Sequence, residues 1–229
     1  MKNKNFHTPV LRKEVLSFLQ VKNGDKYIDA TLGGGGHTRE ILIRGGIVLG
    51  IDQDEDAIKF IKENFKKEIL ESRLTVFKGN FDHIDEIARL KNFTKVSGII
   101  FDLGLSSHQL RDGTRGFSFQ KDAPLDMRMD KDLQVTAEHL VNILTKGELY
   151  ELFYKLGEEH RARSIAEHIV RARRIKPIKT TQELSMIVQK AYGIKKKELS
   201  LFEKQKINKK VFQALRIAVN DELNKLKIA

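Results

Sequence analysis

Short apolar runs alternate with amphipathic segments along the N-terminal half of the chain. The runs predict strands, because they are short, apolar and bounded by turn-forming or acidic residues. These strands are expected at 26–31, 46–52, 74–80 and 96–104. The segments between them carry apolar residues at helical spacing and predict helices at roughly 37–44, 54–65 and 84–90. Strands and helices in alternation are typical of a parallel sheet covered on both faces.

The flanking regions have a different pattern. Thr8 and Pro9 predict the cap and first residue of a short N-terminal helix. Residues 106–130 show little periodicity and many turn formers, which predicts a structured loop. From there on we expect helices only, at 158–174, 180–193 and 209–226, with Pro177 ending the first of them.

The distribution of charge along the chain is more informative about its partners than the overall composition. The chain has 229 residues and a formal net charge of +11. Residues 145–229 carry 20 Lys and Arg against 10 Asp and Glu, whereas the rest of the chain carries 22 against 21. Such a basic third favours docking on nucleic acid, although solvated helical faces would give the same count.

Several classes of protein are excluded or disfavoured. The absence of cysteine excludes disulfides, thiolate metal sites and thiol nucleophiles. A mean hydropathy of −0.39 without a long apolar run argues against a membrane span. The polar start "MKNKNFHTPVLRKEV" lacks the apolar stretch of a signal peptide. The absence of cysteine fits a reducing cytoplasm, so we expect a cytoplasmic protein.

The stretch "YIDATLGGGGHT", residues 27–38, places four glycines between the first strand and a helix. In an open parallel sheet, ligands bind beyond the carboxyl ends of the strands, where such a loop offers N–H groups and a helix N-terminus. Asp52, 19 residues after Gly33, ends the second strand, the usual place for an acid that binds ribose hydroxyls. The loop and the acid together predict a site for a nucleoside-containing cofactor.

The loop sequence narrows the choice of cofactor. A dinucleotide fingerprint would need glycine where Thr38 stands, and no phosphate-binding G-x-x-x-x-G-K-[ST] pattern is present. The carboxylate of Asp29 would repel a pyrophosphate but would suit a cationic sulfonium cofactor, S-adenosyl-L-methionine. The alternative is that Asp29 serves only to brace the loop. A nicotinamide-dependent oxidoreductase is therefore the weaker hypothesis.

Two further strand ends carry candidate residues. Phe81 follows the third strand, where an aromatic ring can stack on adenine, although it could equally belong to the core. Asp102 ends the fourth strand, which lies beside the first in the usual strand order. An acid there is close to the reacting centre in many enzymes of this architecture, while a helix cap is the alternative.

Seven segments, in order along the chain, resemble the bacterial small-subunit ribosomal RNA (cytosine-N4)-methyltransferases, the RsmH/MraW family. They are "HTPVL" (7–11), "YIDATLGGGGHT" (27–38), "GIDQD" (50–54), "DLGLSSHQL" (102–110), "RGFSF" (115–119), "PLDMRMD" (124–130) and "FQALRIAVNDEL" (212–223). The resemblance implies a Rossmann-like α/β methyltransferase fold with a helical insertion. It also implies methyl transfer from S-adenosyl-L-methionine to the exocyclic amine of a decoding-centre cytosine in 16S ribosomal RNA.

The resemblance also implies site residues. It assigns cofactor binding to Gly35, Gly36, His37, Asp52, Phe81, Asp102 and Gln109, of which Gln109 rests on the resemblance alone. Many amino-methyltransferases use a Pro-Pro-aromatic loop after the fourth strand, and "DLGLSS" occupies that place here. Asp102, Ser106 or backbone carbonyls are the candidates for accepting the hydrogens of the amine.

The implied organisation has three parts. Residues 1–108 would form the methyltransferase core, 109–207 the loop and helical insertion for RNA recognition, and 208–229 a return helix of the core. The expected partner is 16S ribosomal RNA, within the small ribosomal subunit, and a homodimer is possible. Candidate RNA-binding residues are Arg161, Arg163, Arg171, Arg173, Arg174, Lys195, Lys196 and Lys197; some of these arginines could instead pair with glutamates of their own helix.

The sequence also departs from that family. Family chains continue past the equivalent of "NDEL" with further strands, whereas this sequence ends at Ala229. We therefore expect the last strands of the sheet to be missing, the fourth strand to form an apolar edge, and the sequence to be a fragment of a longer reading frame. A truncated, inactive relic that binds RNA or cofactor is the alternative function.

Overall fold

The computed structural model describes residues 11–106, 109–110, 112–194 and 199–229. The chain divides into two compact units. Unit 1 comprises Met1–His108 with Leu223–Ala229, and unit 2 comprises Gln109–Glu222. The division falls after His108 and again between Glu222 and Leu223. One uninterrupted helix, Leu201–Asn220, runs through residue 208, where the sequence predicts the start of a return helix; the three functional parts stay a prediction.

Unit 1 is built on parallel strands in the order β3-β2-β1-β4. Their bounds are β1 Lys26–Asp29, β2 Ile47–Asp52, β3 Leu74–Lys78 and β4 Gly98–Ile100. The register aligns Ile28 of β1 with Leu49 of β2 and with Ile99 of β4. Strand β4 is shorter than its apolar run predicts, because the amide of Asp102 leaves the sheet and donates to Thr31 Oγ1 at 2.7 Å.

Helices cover both faces of this sheet, as predicted. They are α1 Arg12–Leu19, α2 Gly36–Ile43, α3 Glu55–Asn64, α4 Lys66–Leu70 and α5 Ile84–Leu90, with a 3₁₀ turn at Phe81–His83. Alternate residues of the strands enter opposite cores: Tyr27 and Val48 pack with α3, while Ile28 and Leu49 pack with Phe81 and α5. The predicted N-terminal cap at Thr8 and Pro9 lies outside the described residues.

The edge of the sheet is apolar along β4 and the residues after it. Ile99, Phe101 and Leu103 are exposed. Among the strands that the structure describes, β4 pairs with β1 on one side alone, so the prediction of an apolar edge at the fourth strand is confirmed.

Unit 2 is helical. Its helices are α6 Ala137–Ile143, α7 Lys146–Gly157, α8 Ala162–Arg173, α9 Thr181–Ala191 and α10 Leu201–Asn220, and α11 Glu222–Ile228 begins at the boundary. Helices α6, α7, α9 and α10 begin with capping boxes, as at Thr180 and Glu183. The last predicted helix, 209–226, is two helices, because Asp221 has a φ of 52° and ends α10.

The segment "PLDMRMD" is tied to the end of α10. Asn220 accepts the amide of Met129 at 2.7 Å and donates to the carbonyl of Met127 at 2.8 Å. Within the segment, Arg128 forms a two-pronged ion pair with Asp126. This part of the predicted loop is therefore a rigid element of unit 2.

Among the residues that the structure describes, no helix is both long and apolar enough to cross a membrane.

Candidate cofactor site

The glycine run forms a tight turn between β1 and α2. Gly33 and Gly35 have φ angles of 47° and 73°, a region that favours glycine. A Cβ on Gly35 would lie 2.6 Å from Ile61 Cδ1 and 2.8 Å from Phe65 Cζ. The loop therefore packs closely against helix α3 and the residue after it. This packing gives Gly35 a structural role in addition to the predicted cofactor contact.

Asp29 braces this loop. It is buried, and its carboxylate accepts hydrogen bonds from the hydroxyl of Thr38 at 2.7 Å and from the amide of Thr31 at 3.3 Å. Burial raises the pKa of Asp29, while the hydrogen bond from Thr38 opposes that rise. Of the two interpretations left open by the sequence, the bracing role is the one for which the structure gives contacts.

Asp52, at the end of β2, holds the same loop from the other side. Its Oδ2 accepts the amide of Gly33 at 2.7 Å and its Oδ1 accepts the amide of Asp54 at 2.8 Å. Burial raises the pKa of Asp52 to about 6, against these two hydrogen bonds. Each carboxylate oxygen accepts more than one hydrogen bond, so the hydroxyls of a ribose can still be bound.

His37 and Asp102 form a pair between α2 and the end of β4. His37 is buried, and its Nε2 lies 3.5 Å from Oδ2 of the exposed Asp102. The interaction with Asp102 raises the pKa of His37, although burial opposes it. The other ring nitrogen, Nδ1, is buried and has no hydrogen-bond partner among the described residues.

Aromatic residues lie at the ends of β3 and β4. Phe81 is buried and meets Phe101 edge to face, with ring centroids 5.8 Å apart. Phe81 opens the 3₁₀ turn, which Asn80 caps by accepting the amide of Asp82. Phe101 is partly exposed, so this pair provides an apolar surface at the carboxyl end of the sheet.

The structure assembles most of the predicted residues, but not all of them. Ser106 lies beside the glycine loop, 3.4 Å from the position of a Cβ on Gly33, in unit 1 with Asp102. Gln109 is buried and belongs to unit 2, so its cofactor role stays a prediction. The cofactor contacts of Gly35, Gly36, His37, Asp52, Phe81 and Asp102 likewise stay predictions.

Sequence reasoning missed the two threonines that connect the site. Thr31 fixes the backbone of Asp102, and Thr38 fixes the carboxylate of Asp29. In the sequence, the only indication of their role is that a threonine stands on either side of the glycine run. In the sequence, Thr38 is notable only because it stands where a dinucleotide fingerprint would need glycine.

The predicted RNA-binding arginines fall on and beside α8. Arg171 pairs with Glu167 of the same helix, and Arg161 lies over the ring of Tyr192 with its guanidinium carbon 4.8 Å from the centroid. Arg173 donates to the carbonyl of Val141 at 2.8 Å. Lys195, Lys196 and Lys197 lie outside the described residues.

The chemistry of the site fits a cationic nucleoside cofactor. Asp29, Asp52 and Asp102 bring three carboxylates to the glycine loop, which favours a positively charged group over a polyphosphate. The unpartnered Nδ1 of the buried His37 offers one further polar contact. No group of three or more residues able to hold a metal ion occurs in the described part of the chain.

Fold and site together define a Rossmann-like α/β methyltransferase. Residues 4–229 match the model of the MraW methylase family, so the chain belongs to that family. Membership of a methylase family confirms the prediction of S-adenosyl-L-methionine as the cofactor.

Curated relatives match along nearly the whole chain. Ribosomal RNA small subunit methyltransferase H of Halothermothrix orenii is 45% identical over 224 residues, covering 96% of this chain and 70% of the relative. The protein of the same name from Oenococcus oeni is 45% identical over 226 residues, covering 97% and 70%. That from Fusobacterium nucleatum is 41% identical over 228 residues, covering 98% and 70%.

Similarities to solved structures are partial. The C-terminal domain of precorrin-6Y C5,15-methyltransferase from Rhodobacter capsulatus aligns with 47% of this chain and 55% of its own, at 21% identity and a TM-score of 0.36. An S-adenosylmethionine-dependent O-methyltransferase from Thermotoga maritima aligns with 36% of this chain and 32% of its own, at 24% identity and a TM-score of 0.31.

Proposed function

We propose that the chain transfers a methyl group from S-adenosyl-L-methionine to N4 of a decoding-centre cytosine in 16S ribosomal RNA. The observation that carries the proposal is the 45% identity, over 96% of this chain, to a protein named ribosomal RNA small subunit methyltransferase H. The surplus of cations in residues 145–229 supports an RNA substrate.

Residues of unit 1 would hold the cofactor. We assign the ribose hydroxyls to Asp52, the apolar face of the adenine to Phe81, and the charged methionyl end to the loop that Asp29 braces. When bound, S-adenosyl-L-methionine supplies an electrophilic methyl group. The chain's own task is then to position the cytosine amine and to accept its hydrogens.

The cytosine amine is a weak nucleophile, because its lone pair is delocalised into the ring. An anionic acceptor beside the amine lets positive charge build on nitrogen as the new bond forms. Asp102 is the candidate, since it lies just after the carboxyl end of β4 and its carboxylate is exposed. His37 Nε2 lies 3.5 Å from Oδ2 of Asp102, so the imidazole would help to orient that carboxylate.

A methyl-transfer assay tests this function. The chain is incubated with radiolabelled S-adenosyl-L-methionine and either small ribosomal subunits or protein-free 16S RNA, and the digested nucleosides are identified by mass spectrometry. N4-methylcytidine in RNA is the expected product. The absence of label from both substrates, or 5-methylcytidine as the sole product, would refute the assignment. Comparing the two substrates decides whether the assembled subunit is needed.

The acceptor is tested in the same assay. Asp102→Asn should lower the rate of methyl transfer by roughly 10²–10³-fold, because removal of one preorganised electrostatic group costs that much in comparable sites. Asp85→Asn, on the exposed surface of α5 in the same unit, is the matched control and should keep the full rate. If Asp102→Asn keeps the full rate, Asp102 is not the acceptor, and Ser106 or a backbone carbonyl becomes the candidate.

The setting of the reaction stays a prediction. We expect a cytoplasmic enzyme that acts on the small ribosomal subunit, and a homodimer is possible. Sedimentation of the purified chain and its cofractionation with subunits would test both points.

A further inference from the structure

The turn that follows helix α8 exposes an apolar side chain between two cations. Ile175 has 91% of its surface exposed, and it is flanked by Arg174 and Lys176, which are exposed as well. We call residues 174–177 the basic tip. Residues 171–179 contain five Lys or Arg and no acid, so the turn is strongly cationic.

The basic tip is anchored at both ends. On its N-terminal side, Arg173 Nη1 donates to the carbonyl of Val141 at 2.8 Å. On its C-terminal side, Asn142 donates to the carbonyl of Ile178 at 2.8 Å and accepts its amide at 3.0 Å. Both anchors belong to the C-terminal end of α6, so the tip is a preformed projection of unit 2.

The basic residues on and beside α8 fall into two groups. Some contact other residues of unit 2, and the others are available to a partner. Arg161, Arg171 and Arg173 are engaged with Tyr192, Glu167 and Val141 respectively. In the described part of the chain, the side chains of Arg163 and Arg174 make no hydrogen bond, ion pair or ring contact, and both residues are exposed.

Lys176 is intermediate between these two groups. Its Nζ pairs with Glu183 Oε1 at 2.7 Å, although the lysine is largely exposed. Arg174 therefore retains the full set of guanidinium donors for a partner, and these suit a phosphate group.

We infer that the basic tip docks on the RNA substrate, with Arg174 on a backbone phosphate and Ile175 against an unpaired base. The inference rests on the proposed function, which supplies the RNA. Charge complementarity selects a polyanion as the partner. An aliphatic side chain between two cations fits RNA, because unpaired bases next to each phosphate present apolar faces that Ile175 can cover.

Arg174 and Ile175 make different contributions to binding, and the dependence on salt concentration distinguishes them. Loss of one phosphate contact should lower the slope of log K against log salt by about 0.7, the value for single strands. Arg174→Gln should therefore weaken binding about fourfold at 0.15 M salt, and less as salt rises. Ile175→Ser should weaken binding roughly three- to tenfold at every salt concentration, because it removes an apolar contact.

The experiment measures binding of the full chain to a 16S RNA transcript by fluorescence anisotropy over a salt series. Met186→Ser with Lys190→Gln is the matched control, since it removes one exposed apolar residue and one exposed cation from α9 in the same unit. Far-ultraviolet circular dichroism verifies that the helices of every variant are folded, and calorimetry with S-adenosyl-L-methionine, whose proposed site lies in unit 1, verifies that cofactor binding is unchanged.

The outcomes distinguish this inference from the proposed function. A loss in both tip variants, with a lower salt slope for Arg174→Gln alone and an unaffected control, supports the docking of the tip. Tip variants that bind RNA like the unaltered chain, while the chain methylates RNA, overturn the tip and leave the function intact. An unaltered chain with no affinity for RNA overturns both.

Discussion

The glycine loop offers a prediction in which the cost of backbone conformation and the cost of packing can be measured separately. Gly24, Gly33 and Gly35 all have positive φ angles, at 82°, 47° and 73°. A Cβ meets nothing within 4 Å at Gly24, ordinary contact at 3.4 Å at Gly33, and two core side chains at 2.6 and 2.8 Å at Gly35. Alanine at each position is the perturbation.

The magnitudes follow from this geometry. Placing a side chain in the left-handed region costs roughly 1–2 kcal/mol, of which about 0.4–1 is returned by the stiffer unfolded chain. Gly24→Ala and Gly33→Ala should each destabilise unit 1 by about 1 kcal/mol. Gly35→Ala adds overpacking of about 1–3 kcal/mol, because Ile61 and Phe65 are fully buried and cannot withdraw. We therefore expect a total of about 2–4 kcal/mol at Gly35.

Hydrogen exchange of peptides from β1 and β2 is the appropriate assay, because it reports on unit 1 by itself. Urea unfolding followed by circular dichroism gives a second measurement of the free energy of unfolding. The reasoning is refuted if Gly35→Ala is no more destabilising than Gly24→Ala, since the two differ in what the new methyl group meets.

A double-mutant cycle identifies the clash. Ile61→Val removes the Cδ1 atom that a residue 35 methyl group would approach, and by itself should cost about 0.5–1.5 kcal/mol. In the Gly35→Ala background the same change should cost less, or even stabilise, because it relieves the contact. Strictly additive free energies would show that Ile61 is not the obstacle.

Two further predictions concern single polar groups. Because burial raises the pKa of Asp52 to about 6, the folded chain binds this proton more tightly than the unfolded chain does. The free energy of unfolding should therefore fall as pH rises from about 4 through 6. Urea titrations at several pH values would measure this dependence, and Asp52→Asn should remove it. Cofactor affinity should change oppositely and weaken below pH 6, where Asp52 loses its charge, as calorimetry would detect. Asn220→Ala leaves the buried amide of Met129 and the carbonyl of Met127 without their partner, which should destabilise unit 2 by about 2–4 kcal/mol; an unchanged urea midpoint would contradict this account.

The sequence predicts the position of the site because strand ends are readable from local pattern. Apolar runs ending in Asp52 and Asp102 place both acids at the carboxyl edge of a parallel sheet, whatever the details of packing. The strand order β3-β2-β1-β4 is the usual order of this architecture, so it too could be expected from alternating strands and helices.

Features that depend on contacts between residues far apart in the sequence could not be predicted from local pattern. The obstruction at Gly35 comes from Ile61 and Phe65, two side chains of another helix and the residue after it. The early end of β4 depends on the hydroxyl of Thr31, 71 residues away in sequence. The break after Asn220 rests on a left-handed residue, Asp221, inside a pattern that is helical on both sides.

The segment "PLDMRMD", one of the seven that carry the family resemblance, has a structural role that its sequence does not show. Two of its three charged residues, Asp126 and Arg128, form an ion pair with each other, and its backbone is held by Asn220, over 90 residues away. A link across such a separation restricts both ends at once, since a change at either leaves a buried polar group without a partner. The residues predicted to bind cofactor also have structural roles, as Gly35 and Asp52 show. Loss of activity after substitution in the glycine loop will therefore mean loss of a cofactor contact only where the free energy of unfolding is unchanged.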